Sequence, residues 1–275
     1  MIEVLTPGPL ATMQDLGRTG YLELGVGRAG AADRYAHRLA NRLAGNVESA
    51  ATIEITLGGL AIRLLDAATI ALTGARCDGA SGWNTALSLA AGSTVRLGPP
   101  ATGLRSYLAV RGGFAVTSVL GSRSSDTLSG LGPPPLRAGD RLPVGDQVIG
   151  PPSDEAISRP VSRPGIRVVP GPRADWFSDP AGLFDQSWSV LPASNRIGIR
   201  LDGSPLHRAR GGELPSEPTL PGAIQVPPDG RPIVLGPDAP VTGGYPVIAV
   251  VFSADLDLLG QLRPGSQVRF TVLGG

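Results

Sequence analysis

Five short segments carry the polar side chains best suited to chemistry: Gln14-Asp15-Leu16-Gly17-Arg18, Ser122-Arg123-Ser124, Ser194-Asn195-Arg196, Gln225 among apolar neighbours, and Thr242-Gly243-Gly244-Tyr245-Pro246. Most of them lie next to glycines or turn residues. Glycine lets a ligand approach the backbone closely, arginine offers a planar fork of donors to phosphate or carboxylate, and asparagine or glutamine can read an amide. Taken singly, each segment is also explained by turn chemistry alone.

The absences narrow the chemistry. All 24 basic residues are arginines, which removes a phosphate-cradling P-loop lysine, a Schiff-base lysine and a biotinyl- or lipoyl-lysine carried on this chain. His37 and His207 stand outside any H-E-x-x-H pattern and no G-x-S-x-G elbow occurs, so zinc hydrolysis and a serine triad are poor readings. His37 and Cys77 read as structural residues. A net charge of +1 gives no cationic field for nucleic acid. No apolar run approaches the length of a membrane span, and the first residues lack a basic and then apolar leader, so a cytoplasmic location is expected.

The elements that must position these groups read as mainly β. Gly (39) and Pro (27) are too frequent for a helical bundle, while 41% hydrophobic residues support a core. One helix is clear, Ala31 to Ala44, with apolar residues at three- and four-residue spacing and Gly45-Asn46 as its stop. Alternation over Ile53 to Leu57 marks a strand, and Gly58-Gly59 reads as a hairpin turn leading into Leu60 to Leu65. Further strands are expected at 69–73, 94–97 and 106–111, then at 166–169, 195–201, 223–226, 232–235, 245–252 and 267–273, with a second helix at Ala254 to Leu262. Prolines among polar residues mark a linker at 151–165, which separates an N-terminal domain, 1–150, from a C-terminal one, 166–275.

The segment Gly25-Val26-Gly27-Arg28-Ala29-Gly30 has G-x-G-x-x-G spacing before the helix, but hairpin-like strands follow instead of strand-helix-strand crossovers. It reads as a glycine-rich bend. Two echoes suggest related halves: strands running into Pro7-Gly8-Pro9 and Pro170-Gly171-Pro172, and Leu136 to Leu142 resembling Leu262 to Val268, with Leu89 to Val95 as a looser copy. A recurring turn alone would also produce them.

In order along the chain, Thr12 to Arg18, Gly30 to Asp33, Ala40-Asn41 with Gly45-Asn46, Glu54 to Leu57, Leu72 to Ala75, Tyr107 to Val110 with Gly112-Gly113, and Leu120 to Ser122 resemble the first half of the family of C-type subunits of bacterial 5-oxoprolinase. Ser194 to Gly198, Arg200-Leu201, Pro221 to Pro227, Pro232 to Leu235 and Thr242 to Pro246 resemble its second half. The same family is known as allophanate hydrolase subunit 2 and as the biotin-dependent carboxyltransferase family. The chain departs from its usual pattern at Ala29, Ala32, Ser125, Val241 and Pro133 to Pro135.

The resemblance implies two cyclophilin-like β-barrel domains in tandem with a few short helices. It also implies a small-molecule substrate, a partner resembling the B-type subunit of 5-oxoprolinase or allophanate hydrolase subunit 1, and a third, lactamase subunit. The activity it implies first is ATP-dependent opening of 5-oxoproline with ATP and magnesium. On that view Arg18, Arg123 or Arg196 meets phosphate or the substrate carboxylate, Asn195 and Gln225 hold the lactam, and Asp15, Asp33 or Asp238 reaches magnesium. Asn195, Arg196, Gln225 and Asp15 are thus expected at the chemistry, and Gln14, Arg18, Asp33, Ser122, Arg123, Asp238, Thr242, Gly243, Gly244 and Tyr245 around substrate and nucleotide. Two alternatives stand beside it: carboxyl transfer from carboxybiotin on a separate carrier to a urea-like amide, and a non-catalytic regulatory subunit that binds a sensor kinase inhibitor.

Overall fold

The computed structural model describes residues 1–153, 165–212 and 214–273, so most of the expected 151–165 linker, residues 154–164, lies outside the described residues. The chain divides into two compact units. The first comprises Met1–Arg18, Ala29–Asp126 and Gly130–Val161; the second comprises Thr19–Arg28, Thr127–Ser129 and Ser162–Gly275. Two short segments of the expected N-terminal domain therefore group with the second unit.

The first unit holds β1 (Ile2–Pro7), β2 (Leu10–Gln14), α1 (Arg34–Ala44), β3 (Thr52–Thr56), β4 (Leu60–Leu64), β5 (Ala68–Gly74), β6 (Ala86–Leu89), β7 (Thr94–Arg96), β8 (Arg105–Val110) and β9 (Arg141–Leu142). They form two sheets, ordered β7-β4-β1-β9 and β2-β3-β8-β5-β6. The expected hairpin at Gly58-Gly59 is absent. β3 pairs with β2 and β8, and β4 with β1 and β7, so β1-β2 and β3-β4 are two long antiparallel strands that bend together from one sheet into the other. Glycine is required at this corner by space as well as by φ. A Cβ on Gly8 (φ +70°) would lie 2.2 Å from the Gly58 oxygen, and one on Gly58 (φ +72°) would lie 2.0 Å from the Gly98 oxygen.

Between the sheets lies a core that includes Ile2, Val4, Met13, Ile53, Ile62, Leu108 and Phe114. α1 covers the outer face of the five-stranded sheet, setting Ala36, Leu39, Ala40 and Leu43 against Ala71 of β5 and Tyr107 and Ala109 of β8. Leu39 and Leu43 are almost fully buried, each contributing roughly 1.5–3 kcal/mol. Because β8 is covered on both faces, all six of its residues are buried. α1 starts at Arg34, not Ala31, because Asp33 caps it by accepting from the Ala36 amide at 2.9 Å; Gly45 ends it in the left-handed region.

In the second unit β10 (Ile166–Pro170), β11 (Trp188–Val190), β12 (Gly198–Asp202), β14 (Ala223–Gln225), β15 (Ile233–Leu235), β17 (Val247–Val251), β18 (Gln267–Val268) and β19 (Phe270–Val272) form one sheet ordered β18-β11-β12-β15-β14-β17-β10-β19. β18 and β19 are separated only by Arg269, and they pair with β11 and β10 at opposite ends of that order. One continuous stretch of chain thus supplies both edges, and the sheet curls into a nearly closed barrel, the arrangement that removes free strand edges. Trp188, Leu201, Ile224, Val234, Ile248 and Phe270 belong to its core. A separate ribbon pairs β13 (Glu217–Pro218) with β16 (Thr242–Gly243).

The expected helix at 254–262 is shorter: a 3-10 turn at Ser253–Asp255 runs into α2 (Leu256–Leu259), capped by Gly260. Gly92, Gly139 and Gly265, the turn glycines of the echoed segments, share φ of +82° to +91° with open space where a Cβ would stand, so the recurrence is turn chemistry at least. Among the described residues no helix is long and apolar enough to cross a membrane.

Candidate functional site

In the first unit the end of β2 meets the turn at 122–124. The Asp15 carboxylate accepts four hydrogen bonds: Oδ1 from the Gly17 amide (2.7 Å), Ser122 Oγ (2.7 Å) and Ser124 Oγ (2.5 Å), and Oδ2 from the Arg123 amide (2.6 Å). Ser124 Oγ also accepts from the Asp15 amide at 2.9 Å. Asp15 is therefore the clamp that fixes the turn carrying Ser122 and Arg123, and its oxygens are committed inside the fold rather than offered to magnesium.

Arg18 follows this clamp and is 2% exposed. Its Nη2 donates to the Ser124 oxygen at 2.6 Å, while Nε and Nη1 are buried without a hydrogen-bond partner among the described residues. Gln14 donates through Nε2 to Thr12 Oγ1 and the Ser125 oxygen, both at 3.0 Å, and its Oε1 is likewise buried and unpartnered. Arg123 is half-buried; its Nε donates to the Val116 oxygen at 2.8 Å.

Asp33 stands apart from this cluster in a buried chain of bonds. Its amide donates to Tyr107 Oη (2.7 Å), which donates to Glu54 Oε2 (2.7 Å); Glu54 also accepts from the Ala32 amide (2.9 Å), and its Oε1 lies 3.2 Å from Arg105 Nε. Burial, then the Glu54 charge, pushes the Tyr107 hydroxyl well above its ordinary range. Asp33 is thus the cap of α1. Next to it, burial pushes His37 down to about 4, against weaker opposing pulls from Asp15 and Glu54. Its Nδ1 lies 2.9 Å from Thr52 Oγ1, in keeping with a structural role.

In the second unit Arg196 and Asp238 form a two-pronged ion pair, Nε to Oδ2 at 2.8 Å and Nη2 to Oδ1 at 2.7 Å. Thr127 adds its amide (2.9 Å) and hydroxyl (2.7 Å) to Oδ2. The structure thus places Arg196 and Asp238 together, each the other's counter-charge. Asn195 Oδ1 accepts from the Ile197 and Gly198 amides at 2.8 and 3.1 Å, closing a turn that delays β12 to Gly198. Its side chain is exposed.

Gln225 and the loop after Asp238 do come together. Nε2 of Gln225, 6% exposed on β14, donates weakly to the Tyr245 oxygen at 3.4 Å, and a Cβ on Gly243 would lie 2.6 Å from that nitrogen. Glycine at 243 lets the loop backbone lie on the glutamine amide. The loop is held at Gly243 by β13, where Arg173 pairs with Glu217 and keeps its carboxyl below the usual carboxylate range. Thr242, Gly244 and Tyr245 remain exposed.

Thr127, Glu54, Tyr107 and Arg173 are not among the expected site residues; the pairs Thr127–Asp238, Glu54–Tyr107 and Arg173–Glu217 span 111, 53 and 44 residues, and no local pattern announces such pairs. Two open cavities, about 750 Å³ beside Met1, Asp66 and Arg111 and about 420 Å³ beside His207, Arg208 and Asp229, are lined by none of the expected residues. Among the described residues no three His, Cys, Asp or Glu side chains are grouped to hold a metal ion.

Residues 24–272 match the model of the family described as carboxyltransferase domain, subdomain A and B. The chain is 38% identical to the C-type subunit of 5-oxoprolinase from Escherichia coli (strain K12), covering 98% of this chain and 90% of that protein. The solved structure of TTHA0988 superposes with a TM-score of 0.86 at 36% identity, over 98% of this chain and 56% of that one. The urea amidolyase of K. lactis superposes at 0.89 with 32% identity, over 99% of this chain and 19% of that one. The chain thus spans about half, or a fifth, of these solved chains.

Proposed function

Since the chain belongs to the carboxyltransferase domain, subdomain A and B, family, we propose that it serves as the C-type subunit of a heteromeric, ATP-dependent 5-oxoprolinase. The observation that carries this reading is similarity: over 98% of its length the chain is 38% identical to a C-type subunit of 5-oxoprolinase, against 32% identity to the urea amidolyase of K. lactis. In the reaction the lactam oxygen attacks the γ-phosphorus of ATP and ADP leaves. Water adds to the activated carbon, the C–N bond breaks and the ring nitrogen takes a proton. A second water splits the resulting acyl phosphate, giving glutamate and inorganic phosphate. Phosphorylation is needed because it removes the resonance that makes an amide resistant to water.

A chain without lysine, and with Asp15 and Asp238 engaged inside the fold, serves such a reaction by positioning charge. Arg18 and Arg123 supply donors to anionic groups in the first unit. In the second, Gln225 and the backbone of Thr242–Tyr245 suit a planar amide. Asp15, Asp33 and Asp238 do not fit a magnesium site, so magnesium would arrive with the triphosphate, keeping several of its waters. Arg196 and Asp238 support this architecture and do not contact reactants.

The test is reconstitution with the partner subunits. ATP hydrolysis should depend on 5-oxoproline and on this chain, and should yield glutamate in step with phosphate. Hydrolysis indifferent to 5-oxoproline would refute the assignment.

The second reading, carboxyl transfer from carboxybiotin to a urea-like nitrogen, is favoured by the family description and by the fit to urea amidolyase. Biotin would supply a transferable carboxyl group from a separate carrier, and Gln225 with Gly243-Gly244 would hold its ureido ring. Avidin inhibits under this reading and has no effect under the first.

A further inference from the structure

We propose that Arg18 is the specificity-determining anchor for the carboxylate of the substrate. This deepens the 5-oxoprolinase reading and rests on it. A guanidinium carries five N–H donors, and among the described residues this one has a single partner, the neutral Ser124 oxygen on Nη2 at 2.6 Å. No carboxylate among those residues pairs with it, although it is 2% exposed. Elsewhere in the chain, enclosed arginines have been given carboxylates: Arg196 has Asp238 and Arg105 has Glu54. A buried cation without a counter-charge is costly, and the deficit is removed when an anion binds.

The donors that remain are the right ones for two oxygens. Nη2 has two N–H bonds, one directed with Nε along the side of the fork and one with Nη1 along its end. Whichever Ser124 takes, the other edge keeps a complete pair, and carboxylates bind arginine through such pairs. Charge selects among anions. One arginine balances one carboxylate, whereas a triphosphate with its metal brings more charge and bound water than a nearly enclosed cation accommodates.

Glycine lets the backbone at 132 pack closely over the contact between Arg18 and the Ser124 oxygen. Gly132 packs over the Ser124 oxygen at φ +84°; a Cβ there would stand 2.1 Å from that oxygen and 3.1 Å from Nη2. Asp15, whose charge would otherwise compete for the arginine, is occupied by the Gly17 and Arg123 amides and two serine hydroxyls.

The experiment compares 5-oxoproline with pyrrolidin-2-one, the same lactam without the carboxylate, in the reconstituted complex. Arg18→Gln should lower kcat/KM for 5-oxoproline by a factor at least ten greater than for pyrrolidin-2-one, mainly through KM, with the KM for ATP little changed. Arg18→Lys, which keeps charge and loses the paired edge, should fall between and decides the matter if the glutamine variant does not fold. Equal losses on the two lactams, or a rise confined to the KM for ATP, would overturn the inference while the 5-oxoprolinase reading stood. Should the wild-type complex not turn over 5-oxoproline, that reading fails separately. Thermal melting then scores Arg18: 5-oxoproline must raise the wild-type Tm and leave the Arg18→Lys Tm unmoved, and any other pattern rejects it.

Discussion

Arg196 and Asp238 neutralise one another inside the second unit, with side chains 1% and 0% exposed and both prongs of the guanidinium edge filled. Removing one partner leaves a buried charge alone. Arg196→Ala is expected to destabilise the chain by about 3–5 kcal/mol, whereas replacing both residues with apolar side chains of similar volume should recover most of that loss. Urea unfolding of the single and paired variants checks this. A double variant no more stable than Arg196→Ala would contradict the assignment of the pair as structural, and loss of activity in Arg196→Ala has to be judged against this loss of fold.

Asp15 fixes the turn that carries Ser122, Arg123 and Ser124 with four accepted bonds. Asp15→Asn turns one acceptor oxygen into a donor group facing donors, and should cost about 2–4 kcal/mol. Because the same clamp places the Ser124 oxygen on Arg18, substrate KM should rise along with the drop in Tm. An Asp15→Asn chain with wild-type Tm would remove the clamp from the account.

How much of this is legible in the sequence follows from the range of each interaction. α1 is readable because its apolar stripe and Gly45 are local signals, whereas its start is read three residues early because Asp33, the cap, looks like a ligand there. Strand positions are readable from alternation. The corner at Gly58-Gly59 reads as a hairpin because the same dipeptide serves both, and what decides between them is Gly8 and Gly98 pressed against it from elsewhere in the chain. The candidate site shows the same division. Residue types such as Gln14, Arg18 and Gln225 stand out, but Asp238 reads as a metal ligand because Arg196, 42 residues earlier, gives no local sign of being its partner.

The corner also makes a direct prediction. Gly8→Ala places a Cβ 2.2 Å from the Gly58 oxygen and strains a backbone at φ +70°, so the two bent strands must separate. A loss of about 3 kcal/mol or more is expected, above the roughly 1 kcal/mol of an ordinary conformational penalty. Gly92→Ala tests the reasoning, since it shares a positive φ but has nothing within 4 Å of its Cβ. It should cost only about 1 kcal/mol by chemical denaturation. Equal costs at the two sites would mean that φ alone, and not the crowded corner, requires glycine.

His37 gives the fold an acid limit. Its imidazole is buried between Thr52 and Asn41, and burial pushes it down to about 4 from an ordinary value of 6.5, with Asp15, Glu54 and Glu48 opposing and Arg38 assisting. The folded pKa is below the unfolded one, so in the window between them the unfolded chain binds the proton and the folded chain does not. The stabilisation is fully present above pH 6.5 and is lost progressively as pH falls to about 4, amounting to about 3 kcal/mol. His37→Gln keeps a neutral polar group and removes the titration. The difference between wild-type and variant unfolding free energies, measured from pH 7.5 to 4, should therefore shrink on acidification through that window, while carboxylates common to both chains cancel. A difference that stays constant across the range would show that His37 is protonated in the folded chain as readily as in the unfolded one.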